Sequence, residues 1–453
     1  MLIRRGRLRD GHIVDIRVGE RIREIADRLD PQASEQVVDA DGGAVLPGLH
    51  DHHLHLRAMA AALDSLTAGP PQVRTKAQLS QALRAAQPGP DGWIRAVGYH
   101  VSVAGELDRD QLDALLADTP VRIQHRSGAM WILNSAALSR VGLADHSDGR
   151  LFSADDWADA LPQRATAIAD ITHRLARYGV TGITDATPDL TADDVAALSV
   201  AHRLGEIPQR LHFLAPGKRI LHDDRLDVDE LTGWIGELHD NDRPVALHCV
   251  TRDQLIVALA ALRAAGSHPR DRIEHAAVVP DDMLAELVGV GVTVVTQPNF
   301  VAERGEHYLQ DVPVDEQPQL WRVASLLRAG IPVAASTDAP FGGMDPWASM
   351  RAAVHRTTAE GDVLGAQERI SPREALQLFL GHPGRPAIPR SVAVGQPGDL
   401  MVLAATAEVE TLASDMVTTT IVGGRVSQPR PAAADGRTAP ADRCRPQVPD
   451  PPR

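Results

Sequence analysis

Short apolar runs separated by turn residues occupy both ends of this chain. Within them, apolar and polar positions alternate as expected for β-strands, and a long region of helical character lies between the two ends. The runs lie at residues 13–18, 21–25, 37–38, 398–403 and 418–426. We therefore predict one small β-domain completed by both ends, residues 1–46 and 393–426.

The central region alternates strand-like and helix-like segments. The predicted strands are residues 179–184, 244–250, 272–275, 292–297 and 332–338. Helices are predicted at 191–203, 254–265, near Pro280, near Pro318 and at 371–380, with capping signals at Thr191 and Ser371. Repeated strand–helix units predict a parallel sheet closed as a (β/α)8 TIM-like barrel over residues 47–392, with an open doubly wound sheet as the alternative. A Gly-X-Gly-X-X-Gly motif after a strand is absent, which weakens a dinucleotide-binding interpretation.

Residues 57–175 do not fit a single strand–helix unit. They contain predicted helices at 76–87 and 134–140 and predicted strands at 92–97 and 120–124. Because functional barrel loops lie at the carboxyl ends of the strands, we interpret this insertion after the first strand as a subdomain over the barrel mouth. A purely structural role is the alternative.

Composition limits the class of protein. The chain has 453 residues, 43% hydrophobic and 23% charged, so it can bury a large core, and its formal net charge of -14 argues against a nucleic-acid partner. Only Cys249 and Cys444 are present, and no membrane-spanning or signal-like apolar run is visible. We expect a cytoplasmic protein that acts on a small-molecule substrate without membrane contact, and the sequence is compatible with a homodimer. Residues 427–453 are rich in proline and poor in bulky apolar residues, which predicts a disordered tail.

His53 and His55 are the most informative polar pair. On a β-strand, alternation places both imidazoles on one face, where a single ion can bind both nitrogens. With 19 histidines in the chain, a chance His-X-His remains an alternative for the pair taken alone.

Further polar residues follow apolar runs where barrel strands should end. They are His248, His275 and Asp338, after the predicted fifth, sixth and eighth strands. The carboxyl ends of barrel strands share one rim, so these groups should converge with His53 and His55. Burying them without partners would cost several kcal/mol, whereas a divalent ion would satisfy them together.

With these motifs the chain resembles the amidohydrolase superfamily, and within it the amidohydrolase 3 branch, over about residues 1–426. The motifs are Leu-Pro-Gly-Leu-His-Asp-His-His-Leu-His, Leu-His-Cys-Val, Arg-Ile-Glu-His, Thr-Gln-Pro-Asn and Ser-Thr-Asp-Ala-Pro. The resemblance implies a metal-bearing (β/α)8 barrel with a β-sandwich built from both termini. It implies that His53 and His55 hold one divalent ion, that His248 and His275 hold a second, and that Asp338 touches the metal and acts as general base. Zinc is favoured, with one or two ions per chain. Asp338 as a plain helix cap is the alternative.

Two positions depart from the branch. Its two-metal members usually carry a bridging ligand, often a carboxylated lysine at the end of the fourth strand, and Lys218 is the candidate here. The third strand would end at Leu214, which leaves no room for a helix before Lys218, so an exposed lysine is the alternative. Similar proteins often carry a histidine where this chain has Ala129, with His125 or Trp131 as the nearest substitutes.

The predicted function is hydrolysis of a carbon–nitrogen bond in an amide, N-formyl, N-acyl or cyclic amide substrate by a metal-activated water. Heterocycle deamination is a second hypothesis. Deaminases usually carry an acidic residue three positions after the fifth-strand histidine, whereas this chain has Thr251 at that position. A third hypothesis is a metal-binding scaffold without catalysis. The candidate substrate-binding residues are His125, Trp131, Gln297, Asn299 and Arg304, with Tyr99 also on a segment expected to face the pocket. For Arg304, a carboxylate clamp is weighed against a solvated loop charge balanced by Glu303.

Overall fold

The computed structural model describes residues 1–152 and 168–427. The predicted tail from residue 428 onward, and residues 153–167 of the insertion, lie outside the described part of the chain. The fold is α/β. None of the helices within the described ranges is both long and apolar enough to cross a membrane.

The described strands are numbered along the chain. They are β1 Leu2–Arg7, β2 Ile13–Val18, β3 Ile22–Ala26, β4 Val37–Asp39, β5 Val45–Pro47, β6 Leu49–Leu54, β7 Leu66–Thr67, β8 Ile94–Tyr99, β9 Val121–His125, β10 Met130–Leu133, β11 Arg150–Phe152, β12 Val180–Asp185, β13 Arg210–Phe213, β14 Lys218–Ile220, β15 Ala246–Cys249, β16 Arg272–His275, β17 Thr293–Thr296, β18 Val333–Ala335, β19 Gly381–His382, β20 Arg385–Pro389, β21 Leu400–Leu403, β22 Val417–Val422 and β23 Arg425–Val426.

The described α-helices are numbered in the same way. They are α1 Leu56–Leu63, α2 Lys76–Ala85, α3 Val101–Ala104, α4 Arg109–Leu115, α5 Ser135–Arg140, α6 Ile168–Arg177, α7 Ala192–Leu204, α8 Val228–His239, α9 Arg252–Ala265, α10 Asp281–Val290, α11 Asn299–Asp311, α12 Val323–Arg328, α13 Pro346–His355 and α14 Pro372–Gln377. Short 3-10 segments lie at Asp223–Arg225, Gln317–Gln319, Ala366–Glu368, Val409–Thr411 and Ser414–Met416.

Both ends of the chain contribute strands to two four-stranded sheets. One has the order β3-β2-β1-β4 and the other β23-β22-β21-β5. Apolar residues of the two sheets share one buried cluster, which includes Ile3, Ile16, Val402 and Ile421. Val45 and Leu46 therefore pair with β21 and do not form the beginning of the strand that carries His53.

Eight parallel strands form the centre of the molecule. They divide into a three-stranded sheet, β13-β12-β6, and a five-stranded sheet, β14-β15-β16-β17-β18, with helices in the connections. The sequence predicts a single closed sheet, whereas the described residues do not form one continuous ladder. The third strand ends at Phe213 and the fourth begins at Lys218, so no helix separates them.

A short segment lies between β6 and β18 and explains one gap in the ladder. The carbonyl of Leu378 accepts a hydrogen bond from Ala335 N at 3.0 Å, and that of Phe379 accepts one from His50 N at 2.8 Å. These contacts also end the helix that begins after the Ser371 cap, since α14 stops at Gln377 and not at residue 380 as predicted. Beyond the segment, Asp338 N donates to His53 O at 2.9 Å, which brings the carboxyl ends of β6 and β18 together.

The insertion after β6 has its own sheet and its own core. The sheet order is β11-β10-β9-β8-β7, and α2, α4 and the strands share a buried apolar cluster that includes Leu79, Leu112 and Ile123. Asn134 caps α5, with its side chain accepting a hydrogen bond from Ala137 N at 2.9 Å. The turn after β9 contacts the end of the central sheet, because a Cβ atom on Gly128 would overlap the ring of Phe341.

Candidate metal centre

Three predicted ligands meet at the carboxyl ends of β6 and β18. His55 Nε2 lies 3.3 Å from Asp338 Oδ1, and His53 Nε2 lies 3.5 Å from the same oxygen. One ligand atom from each of the three residues lies within 4.8 Å of the others. Asp338 has a φ of 56°, a left-handed conformation that costs a residue other than glycine about 1–3 kcal/mol. The fold therefore holds Asp338 in a backbone conformation that is unfavourable for aspartate.

His248 and His275 lie beside this trio. The ring centroids of His53 and His275 are 4.8 Å apart, and those of His275 and His248 are 4.4 Å apart. His275 also has a positive φ, 70°, at the end of β16. These two histidines are not part of the tight group around Asp338.

Lys218 is buried at the beginning of β14 and reaches the same place. Its Nζ lies 3.4 Å from His53 Nε2, and its side chain is 5% exposed. Burial lowers the pKa of Lys218 to about 8, against the opposing effect of Glu274 and Asp338. The exposed-lysine alternative is therefore wrong.

The donor atoms fit a divalent cation. Asp338 Oδ1 is buried and has no hydrogen-bond partner within the described ranges, while two imidazole nitrogens point toward it. Burial lowers the pKa of His53 and His275 well below the usual value and that of His248 to about 3, and the charge of Lys218 adds to the effect. These imidazoles are neutral near pH 7, as ligation requires. A set of imidazole nitrogens and a carboxylate oxygen suits zinc and similar ions.

A buried carboxylate behind the site orients His53. Glu274 Oε2 is hydrogen-bonded to His53 Nδ1, which leaves Nε2 directed toward Asp338. Arg272 in turn donates to Glu274 Oε1 at 2.6 Å and to the carbonyl of His52 at 2.8 Å. Such a carboxylate–histidine pair fixes the tautomer and raises the basicity of a metal ligand. The sequence analysis did not assign Glu274 a role, although an acid within a predicted central strand, one residue before His275, was a usable signal.

Two of the predicted substrate contacts lie behind the ligands. Gln297 Oε1 is bonded to His275 Nδ1 at 2.7 Å, and its Nε2 donates to Ser336 Oγ at 2.9 Å. Asn299 Nδ2 donates to the carbonyl of Thr337 at 3.1 Å, next to Asp338. Both side chains are buried, at 0% and 1% exposure, so the structure places them where they orient the site.

Asp51 joins the two strands that carry the tight group. Its carboxylate accepts hydrogen bonds from His53 N at 3.2 Å and from Thr337 Oγ1 at 2.6 Å. Burial raises the pKa of Asp51 to about 6, although these hydrogen bonds oppose the shift. The sequence analysis assigned no role to Asp51, because its partner lies 286 residues away along the chain.

The remaining predicted contacts lie in or against the insertion. His125 ends β9, and Trp131 lies on β10. The guanidinium carbons of Arg95 and Arg122 lie 5.3 Å and 5.4 Å from the centre of the Trp131 ring. Arg304 Nη2 donates to the carbonyl of Phe341 at 2.6 Å, and the Phe341 ring lies 5.3 Å from that of His55. Tyr99 is 1% exposed and donates to the carbonyl of Gly105 at 2.6 Å, which indicates a structural role.

Known proteins resemble the chain over most of its length. A sequence profile described as the amidohydrolase family matches residues 36–232 and 215–428. N-substituted formamide deformylase from Arthrobacter pascens is 23% identical over 460 residues, which span 81% of this chain and 84% of that protein.

Solved structures share the fold. An uncharacterized metal-dependent hydrolase from Pyrococcus furiosus superposes with a TM-score of 0.67 at 20% identity, over 90% of this chain and 99% of that one. Another, from Pyrococcus horikoshii, gives a TM-score of 0.65 at 19% identity, over 83% and 89% of the two chains.

Proposed function

Because this chain belongs to the amidohydrolase family and is a hydrolase acting on carbon–nitrogen bonds, we propose that it cleaves an amide, N-formyl, N-acyl or cyclic amide substrate with Asp338 as general base. The observation that carries the proposal is the convergence of His53 and His55 on a buried oxygen of Asp338 that accepts no hydrogen bond from the described residues. In the reaction, the carbon–nitrogen bond breaks as water supplies a new carbon–oxygen bond, and the leaving nitrogen takes a proton.

The residues divide by role. We assign His53, His55 and Asp338 to a first divalent ion and His248 and His275 to a second, with zinc favoured by the donor set. A bound divalent ion lowers the pKa of a water molecule and polarises the substrate carbonyl. Asp338 accepts the proton of the attacking water and returns it to the leaving nitrogen, while Glu274 and Gln297 hold His53 and His275 in orientation.

We also propose the domain arrangement that accompanies this site. The eight parallel strands correspond to a (β/α)8 barrel over residues 47–392, and residues 57–175 are inserted over its mouth. Residues 1–46 and 393–426 form a β-sandwich domain. The contact between the turn at Gly128 and Phe341 supports the position of the insertion, and the shared apolar cluster supports the sandwich.

Metal content is the first test of the proposal. We expect the purified chain to hold one or two divalent ions and to lose hydrolysis of N-formyl and N-acyl amides on treatment with a chelator. Elemental analysis of the His53→Ala variant should show fewer ions than wild type, because a ligand is lost. His12→Ala, which changes an exposed histidine, is the matched control and should keep the wild-type content.

Two outcomes would separate the competing hypotheses. A wild-type chain without stoichiometric metal would contradict the proposal. A chain that binds metal but turns over no amide or N-formyl compound, with zinc or manganese present, would favour a metal-binding scaffold.

We propose that Lys218 is carboxylated and would act as a further metal ligand at this site. Its amine would add carbon dioxide and release one proton, and its buried place 3.4 Å from His53 Nε2 supports this role. We expect Lys218→Ala to lose metal and activity, and short carboxylic acids such as acetate or propionate to restore part of both. Bicarbonate should speed recovery of the wild-type chain after metal removal. Retention of full metal content by Lys218→Ala would show that this lysine is not a ligand.

A further inference from the structure

Buried nitrogen atoms without hydrogen-bond partners gather among the central strands, on the amino-terminal side of the candidate metal centre. His52 on β6 is 0% exposed, and neither of its ring nitrogens has a partner among the described residues. The same holds for His212 Nδ1 on β13 and for Arg272 Nη1 on β16. Burying polar groups in this state is unfavourable, so these atoms indicate an occupant. We refer to His52, His212 and Arg272 as the inner cluster.

The strand registers direct the three side chains of the inner cluster toward one space. The His50 and His52 ring centroids are 4.6 Å apart on β6. His50 Nε2 is bonded to Thr184 Oγ1 at 2.8 Å, and Thr184 is in register with His212 on the next strand. Arg272 Nη2 donates to the carbonyl of His52 at 2.8 Å. Burial, followed by the charge of Arg272, lowers the pKa of His52 well below its usual value and that of His212 to about 4, which agrees with a guanidinium near both rings.

The charges around the inner cluster favour an anion as the occupant. Glu274, the acid bonded to Arg272, already accepts hydrogen bonds from Arg272 Nε at 2.6 Å and Nη2 at 3.0 Å. Arg390 is 9% exposed and donates to backbone carbonyls at 3.2 Å and 3.1 Å, and its charge also acts on His52. Asp399, the acid that acts on Arg390, is paired with Arg210 at 3.3 Å. Because Arg272 Nη1 can only donate, its partner must be an acceptor.

Small residues and a groove give the inner cluster space and access. Ala246 is in register with Arg272, and Gly182 is in register with His50, where a Cβ atom would overlap the His50 ring. A groove of about 330 Å³ near the amino end of β6 is lined by His50 and Arg390, among other residues. His50 therefore lies between the groove and the ring of His52. The space beside Arg272 suits an occupant of one atom better than a large one.

We propose that the inner cluster binds a monatomic anion of the halide class, chloride under ordinary conditions. Arg272 Nη1 and one ring N–H each from His52 and His212 supply the donors. A neutral imidazole has one such N–H, so neither histidine needs to be protonated. Burial disfavours a multiply charged anion such as phosphate. The ion holds one edge of Arg272 while the other edge holds Glu274, so it supports the metal centre without contacting substrate.

Crystals of the full chain grown with sodium bromide test the location of the site, because anomalous scattering distinguishes bromide from water. We expect a bromide peak within about 4 Å of Arg272 Nη1, the contact distance of an ion pair. The rings of His52 and His212 should border the same peak. An ordered water molecule at this position, with no bromide peak, would overturn the proposal. The experiment requires neither metal nor turnover, so its outcome is independent of the proposed function.

Urea unfolding of the metal-free chain measures the affinity for halide. Chloride or bromide replaces gluconate at constant ionic strength, and the wild-type midpoint should rise because the folded state binds the ion. His212→Leu should weaken halide binding by about 10- to 100-fold, the loss of one hydrogen bond to a charged group. His12→Leu changes a histidine whose side chain is 80% exposed and should keep the wild-type response. Equal responses in wild type and His212→Leu would overturn the site. If His212→Leu does not fold, the bromide peak in wild type decides.

Discussion

Asp338→Asn is expected to keep bound metal while kcat falls by about 10²- to 10⁴-fold, the usual contribution of a general base. The carboxamide retains an oxygen near His53 and His55 and occupies the same space. It cannot take the proton of the attacking water, so the variant should bind metal but hydrolyse substrate slowly. Elemental analysis gives the metal content, and steady-state kinetics on N-formyl or N-acyl amides gives kcat and KM.

The matched control for this variant is Asp282→Asn. Asp282 lies exposed in the first turn of α10 and should leave both metal and turnover unchanged. Full activity in Asp338→Asn would show that Asp338 is not the general base. Loss of metal together with activity would show that Asp338 acts mainly as a ligand.

Glu274→Ala is expected to lower the free energy of unfolding by about 3–5 kcal/mol, the cost of removing one partner from a buried ion pair. Arg272 is 4% exposed and Glu274 is 0% exposed, so water cannot replace the lost carboxylate. His53 would lose its Nδ1 partner at the same time, and we expect metal affinity to fall by about 10- to 100-fold. Urea unfolding of metal-free protein measures the first effect, and metal titration measures the second.

Two further variants serve as comparisons for Glu274→Ala. Glu274→Gln keeps an acceptor for Arg272 and should lose less stability than the alanine variant. Glu410→Ala removes the acid of an ion pair with Arg373 in which both side chains are exposed, and we expect no measurable change. Unfolding of Glu274→Ala at the wild-type urea midpoint would contradict the role assigned to this ion pair.

Local patterns predicted most elements because their signals lie within a few residues. The Thr191 capping box begins α7, and the apolar runs around His248 and His275 form β15 and β16. The helix after Ser371 was predicted too long because its end depends on distant strands. Leu378 and Phe379 leave the helix to hydrogen-bond β18 and β6, and no local propensity encodes those partners.

The candidate ligands were visible in the sequence because each follows an apolar run at a strand end. Their supporting groups were not. Gln297 was expected to face substrate, yet it is hydrogen-bonded to His275. A residue at a strand end can point either into a pocket or behind a metal ligand, and the sequence does not distinguish these directions. Asp51 and Glu274 act on residues that are close in space and remote along the chain.

The sequence by itself determined the family resemblance, the α/β pattern and the candidate ligands His53, His55, His248, His275 and Asp338, because strand periodicity and residue chemistry are local properties. Only the tertiary structure decided that Lys218 is buried beside His53 and that Glu274 orients this histidine. It also brought Arg126 from the insertion against α11. These contacts depend on how distant segments pack, and packing is a property of the whole fold.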